Sequence, residues 1–157
     1  MLINNKMQIV IMQIRKAAAK DFEQLYKIGS NTPELQVSAT EPFMDEDDFK
    51  LRIKDKNHVF LLAEADEKIV GFVCANTKDI DRPMKNKYAC LVYIVVIPSY
   101  RKKGVANKLY NSCTIELKKK GITHVYTWAN DSPAIKKFLK SKRFSEGGKY
   151  IWMDKKL

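Results

Sequence analysis

Residues 93–110 read YIVVIPSYRKKGVANKLY. An apolar run, Pro98, three consecutive cations (Arg101, Lys102 and Lys103) and Gly104 stand side by side, with apolar residues at helical spacing behind them. The run reads as a buried strand that Pro98 ends, and the following segment as an amphipathic helix. The first four N–H groups of such a helix have no partner inside it, and with the helix dipole they attract anions. Gly104 adds backbone freedom and lacks a Cβ that would block a ligand, while Ala106 keeps the first turn narrow. Arg101 with Lys102 or Lys103 supplies charge at the rim. The segment therefore has two readings, a solvated basic turn or a seat for a diphosphate.

The distribution of charge bears on that choice. Residues 1–100 hold 14 Lys/Arg and 14 Asp/Glu, whereas residues 101–157 hold 15 and 4, so the whole excess of +11 begins at Arg101. This asymmetry calls for a polyanionic partner, with nucleic acid and a phosphorylated cofactor as the candidates. Neither a G-x-x-x-x-G-K-[ST] P-loop nor a G-x-G-x-x-G dinucleotide fingerprint occurs. No nucleic-acid motif occurs either. The basic residues alternate with core positions on two expected helices, as solvated faces do, so specific nucleic-acid recognition is not expected.

The 157 residues suit a single domain over 1–157, with its core over about 12–157 and residues 1–11 as an N-terminal extension. With 45% hydrophobic and 30% charged residues the chain is neither disordered nor fibrous. Cys74, Cys90 and Cys113 lie far apart beside only two histidines, so neither a disulfide framework nor a metal site is expected, and the default compartment is a reducing cytoplasm. The longest apolar run, 88–98, falls short of the roughly 20 residues that a bilayer span needs. The N-terminus has the look of a leader, but Gln8 and Gln13 interrupt its apolar patch and Arg15 and Lys16 follow at once. A first strand over Gln8–Ile14 is the better reading, and Met12 is an alternative start.

Further elements follow from periodicity. Helices are expected over 18–30, 45–56, 102–120 and 132–142, and strands over 58–65, 68–76, 87–97, 122–129 and 149–156. "DEK" at 66–68 signals a hairpin, and the nearly all-apolar 87–97 suits the centre of a sheet covered on both faces. The fold class is α/β: a mixed, mostly antiparallel central sheet of about six or seven strands with helices on both faces.

VVIPSYRKKGVANKLY resembles the acyl-CoA-binding motif of the GNAT (GCN5-related N-acetyltransferase) superfamily, V-x-P-x-[YF]-[RQ]-x-x-G-x-[GA]. WANDSPAIKKFLKSKRF is similar to that family's N-x-x-A-x-x-[FL]-Y-x-x-x-G-F segment, and the element order matches the family over the chain from Met12 on. The resemblance implies N-acetyl transfer from acetyl-CoA, as co-substrate, to a primary amine by direct attack in a ternary complex. It implies that the backbone of Val95, Val96 and Ile97 pairs with the pantetheine arm. Arg101, Lys102, Lys103, Gly104, Val105 and Ala106 would hold the pyrophosphate through backbone N–H groups. Asn130 would bond the pantetheine, with Ala134 and Lys137 beside it. The Val96 N–H would stabilise the oxyanion, commonly a large contribution to catalysis.

The chain departs from the family where side chains do the chemistry. The family's acid is the Tyr of "FY", and here Phe138 and Leu139 stand in its place; the Gly of the closing "GF" is Arg143, and a fourth-strand glutamate is Cys90. Losing a general acid or base typically costs about 10²–10⁴-fold. Tyr93, Tyr126 and Glu64 are substitutes to weigh against plain structural roles, core aromatics for the tyrosines and a surface strand position for Glu64. His58 and His124 open strands and take no role. By the same resemblance, Glu41, Phe43, Met44 and Trp128 would form the acceptor side, with Trp152 beside them, and Asp45–Asp48 serve the helix dipole. The acceptor is a small-molecule or peptide amine, no membrane is involved, and a homodimer is left open. An acyl-CoA sensor that has lost its chemistry is the rival reading.

Overall fold

The computed structural model describes residues 11–36, 38, 43–78 and 87–157. In chain order these form β1 (Met12–Lys16), α1 (Phe22–Ser30), α2 (Glu46–Lys54), β2 (His58–Ala65), β3 (Lys68–Asn76), β4 (Tyr88–Val96), α3 (Val105–Lys119), β5 (His124–Tyr126) and α4 (Pro133–Ser141). Short 3₁₀ turns sit at Ala19–Asp21, Pro33–Leu35 and Pro98–Tyr100. The sheet runs β1-β2-β3-β4-β5, antiparallel up to β4 and parallel between β4 and β5. It is the expected mixed, mostly antiparallel sheet, with five strands among the described residues in place of six or seven.

Two apolar layers hold the sheet. On one face α3 presents Val105, Leu109, Cys113 and Leu117, one residue every four, against Ala63, Val73 and Leu91. On the other, Leu25 of α1 and Phe49 and Ile53 of α2 meet Phe60, Leu62 and Phe72. Phe49 is the hub there, with five rings (Phe22, Tyr26, Phe43, Phe60 and Phe72) between 5.3 and 6.1 Å away. Asp45 caps α2 by accepting from the Asp47 and Asp48 N–H groups.

β1 ends later than the spacing suggests. Arg15 and Lys16 belong to the strand, opposite Leu62 and Leu61. The Arg15 guanidinium is satisfied there: it donates to both Asp21 oxygens at 2.7 and 2.9 Å and to Glu64 at 2.6 Å. Residues 8–10 of the expected first strand lie outside the described residues.

The β2–β3 turn is Asp66–Glu67, both with positive φ (51° and 60°), the conformation a two-residue hairpin of matching twist demands. β3 and β4 approach closely at Gly71, where a Cβ would lie 2.4 Å from the Val95 carbonyl oxygen.

Three expectations are corrected. The strand expected over 122–129 is only His124–Tyr126, because the Thr127 hydroxyl takes the Leu91 carbonyl at 2.8 Å and ends the ladder. The segment 149–156 forms no strand and is exposed. Its apolar run over 150–153 suits a strand, but so short a β5 leaves it little edge to pair with, and Tyr150 packs edge-on against Trp128 instead, 5.0 Å between centroids. β4 is not covered throughout, since Tyr88 and Cys90, and Val92–Ile94 beyond the pairing with β5, are only half-buried.

Candidate functional site

β4 and β5 share three residue pairs, from Tyr88↔His124 to Cys90↔Tyr126, and then part. At the parting β4 carries a bulge: Cys74 faces Tyr93 while Ala75 faces Leu91, leaving Val92 as the extra residue. Val92 and Tyr93 consequently both pack toward the α1–α2 layer. Beyond the bulge, the Ile97 N–H donates to the Val70 carbonyl at 3.0 Å. Antiparallel alternation then turns the N–H and C=O of Val96 away from β3, into the gap that β5 vacates, and those of Val95 toward β3. The Val96 carbonyl accepts from Arg101 Nε at 3.0 Å, as an outward-facing group would. Of Val95, Val96 and Ile97, only Val96 therefore offers its backbone to the gap.

The loop after β4 is held from outside. The Tyr100 hydroxyl donates to Asp66 of the hairpin at 2.6 Å, and Lys103 Nζ lies 4.9 Å above the Tyr100 ring. Lys102 (φ 60°) and Gly104 (φ 80°) take left-handed backbone, so the chain swings sharply into α3. Gly104 is the N-cap and brings no side chain, leaving the Val105, Ala106 and Asn107 N–H groups without a capping acceptor. A Cβ at Gly104 would meet nothing within 4 Å, so space in front of the turn is open. A cavity of about 220 Å³ lies there, floored by Val96, rimmed by Arg101 and Lys102, and walled by Ala106 and Phe138.

Asn130, Ala134 and Lys137 stand exposed on the far lip of the gap, around the start of α4, which Ser132 caps through the Ile135 N–H at 3.2 Å. The Asn130 amide donates to the Glu34 carbonyl at 3.1 Å, and its oxygen accepts from the Ser132 N–H. Arg143 explains its own departure from the family pattern. It caps α4 with φ 64°, and the Phe144 N–H reaches the Leu139 carbonyl at 3.1 Å, the closure that glycine usually provides.

The remaining expected residues divide. Tyr93 sits among Phe43 (5.6 Å) and Phe72 (6.4 Å), and burial raises its phenol pKa, so it stays protonated. Phe43 packs on Tyr26 and Phe49 and presses on Gly29, a place in the core layer as much as at a pocket. The Met44 carbonyl accepts the Tyr26 hydroxyl at 2.9 Å. Glu41 lies outside the described residues. Trp128 is 59% exposed, between Tyr126 and Tyr150. Glu64 is taken by Arg15, His58 by Asp55 at 2.9 Å, and His124 stacks on Tyr88, all away from the cavity.

Sequence reasoning missed Glu34. It sits on the Pro33–Leu35 turn, and its carboxylate takes Arg101 Nη1 at 3.0 Å. Its own backbone N–H, then the Arg101 guanidinium, hold its pKa below the ordinary carboxylate value. The only signal was an acid beside Pro33 in the helix-connecting loop.

The architecture has counterparts among solved structures. A transcriptional regulator from Bacillus halodurans C-125 superposes with a TM-score of 0.76 at 19% identity, over 92% of this chain and 99% of that one. An aminoglycoside acetyltransferase from an uncultured soil metagenomic sample, in complex with sisomicin, gives 0.71 at 17% over 93% and 96%. Aminoglycoside N-acetyltransferase AAC(6')-Iy in complex with CoA gives 0.71 at 18% over 92% and 100%. These likenesses establish the fold. The family model described as the acetyltransferase (GNAT) family matches residues 20–140, most of the chain from α1 to α4, and by that match the chain belongs to the GNAT acetyltransferases.

Proposed function

We propose that the chain is an N-acetyltransferase that moves an acetyl group from acetyl-CoA to a primary amine while both are bound. One juxtaposition carries the reading: the uncapped first turn of α3 and the outward Val96 backbone open onto the same cavity. The Val105, Ala106 and Asn107 N–H groups suit a diphosphate, with Lys102 and Lys103 at the rim. Val96 on one lip and the Asn130 amide on the other would hold the pantetheine arm, with Ala134 and Lys137 beside it.

Bound acetyl-CoA supplies an activated acyl carbon and a good thiolate leaving group. The Val96 N–H, fixed by the β4 ladder, would donate to the negative charge that develops on the attacked oxygen. Because the backbone provides this donor, substitution of the side chain leaves it in place. Leu139 offers no proton to the thiolate, so Tyr93 is the acid candidate and water the route by which the amine sheds its proton. Two neighbours are aminoglycoside acetyltransferases by their own descriptions, one in complex with sisomicin and one with CoA, which supports the reaction class and leaves the acceptor of this chain open.

Thermal unfolding with acetyl-CoA, dephospho-CoA and ATP at moderate salt tests the cradle. At 100 times its dissociation constant, a ligand stabilises by about 2.7 kcal/mol. A shift with acetyl-CoA larger than with the other two is the expected result; no shift with any of them removes the cofactor assignment. Leu139 and Cys90 favour a second reading, an acyl-CoA sensor of the same fold, and turnover of any amine in a screen rules it out.

A further inference from the structure

Glu34 is the one acid among the described residues bonded to both lips of the gap. Its carboxylate holds Arg101, which also grips the Val96 carbonyl, and its backbone carbonyl holds Asn130. These partners are 67 and 96 residues away in the chain, so the Pro33–Leu35 turn straddles the opening between β4 and the segment after β5. The Glu34 side chain is 42% exposed, and Arg101 meets only Oε1. Asp66 is bonded to Tyr100 beneath the hairpin and Asp131 to Lys136, so neither acid plays the same part.

Charge gives this placement a purpose. A primary amine in neutral water is an ammonium ion, and it must approach a cavity built largely from residues 101–157, which carry the whole +11 excess. Such a field draws in a diphosphate and repels a cationic acceptor. A carboxylate at the mouth offsets that charge locally where the amine must sit.

We propose that Glu34 binds the acceptor's ammonium group at the mouth of the gap and so restricts this enzyme to cationic amines. The inference rests on the acetyltransferase reading above. Arg101 fixes Oε1 and thereby the orientation of the carboxylate, and the amine approaches the Oε2 side. A carboxylate held this acidic serves as a charge partner and not as the final base, so the ammonium proton passes to water before attack.

The test compares the unaltered chain with Glu34→Gln and Glu34→Asp. Gln keeps an oxygen for Arg101 while removing the charge. Calorimetry first measures acetyl-CoA binding; acetylation of spermidine, kanamycin and an alanyl tetrapeptide with a free N-terminus follows at fixed pH. The expected result for Glu34→Gln is a KM for the acetylated amine raised about tenfold, with kcat and the acetyl-CoA Kd within about twofold, and partial rescue in Glu34→Asp. An unchanged KM overturns the proposal. A KM and an acetyl-CoA Kd that rise together also overturn it, because Glu34 would then act through Arg101 on the cradle. Acetyl-CoA binding by the unaltered chain with none of the three cations accepted overturns the cationic acceptor alone, whereas no acetyl-CoA binding removes the underlying reading.

Discussion

The two sides of β4 are built on opposite terms. Toward β3 it is paired from Cys90 to Val96 around the bulge at Val92, closely enough at Gly71 to exclude a Cβ, and the sheet continues through β2 to β1 with apolar layers above and below. Toward β5 it is paired at three residues and then abandoned, with the Val96 N–H turned to open space. The closed side satisfies its hydrogen bonds internally and supplies the stability. The open side leaves donors unspent, and unspent donors are what a phosphorylated thioester can use. Rigidity on one side is the condition for exposure on the other, since the outward Val96 peptide is held only because Ile97 is tied to Val70.

This contrast breaks most visibly if a mutation on the closed side spares stability. Phe49, fully buried at the centre of the aromatic layer, is the sharpest probe: Phe49→Ala should cost about 3–5 kcal/mol in denaturant unfolding. Retained stability there would show that the α1–α2 layer contributes less than its packing implies.

The next effect is electrostatic. Asp21, 6% exposed, accepts two bonds from Arg15 and one from the Ala18 N–H, and Arg15 lowers its pKa below that of the unfolded chain. Its contribution is therefore complete above about pH 4 and is lost as the pH falls through the lower, folded value. Asp21→Ala should cost about 1–3 kcal/mol at neutral pH, because it removes the bonds from Arg15 and leaves the Ala18 N–H unpaired while Glu64 still holds Arg15, and the gap to the unaltered chain should narrow on acidification. Unfolding followed from pH 7 to pH 2 checks both; parallel curves would refute the assignment.

On the open side the expected stability effect is smallest and the binding effect distinct. Gly104→Ala meets no atom but must keep φ near 80°, a strain of about 1–2 kcal/mol. Acetyl-CoA affinity should fall several-fold while the fold persists, measured by calorimetry beside thermal unfolding. An unaltered affinity would place the diphosphate elsewhere than the α3 turn.

Much of the molecule is legible in local spacing. The stripe of Val105, Leu109, Cys113 and Leu117, the Asp66–Glu67 turn and the Pro98–Gly104 transition each lie within a few residues, where periodicity and turn chemistry act directly. The apolar run within residues 149–156 was equally legible and still misled, because a strand needs an edge to pair with and β5 is too short to offer much of one.

The sequence by itself determined the α/β class, the strand-to-helix turn with its uncapped donors, and the charge that surrounds them. Only the tertiary structure decided which backbone groups face the gap, because strand register and the Val92 bulge set that alternation. It alone brought Glu34 to Arg101 and Asn130 and committed Glu64 to Arg15. The physical reason is common to these cases: a residue's role across a cleft depends on partners dozens of positions away, and no local pattern encodes which of many similar side chains the packing of the sheet will bring within hydrogen-bonding distance.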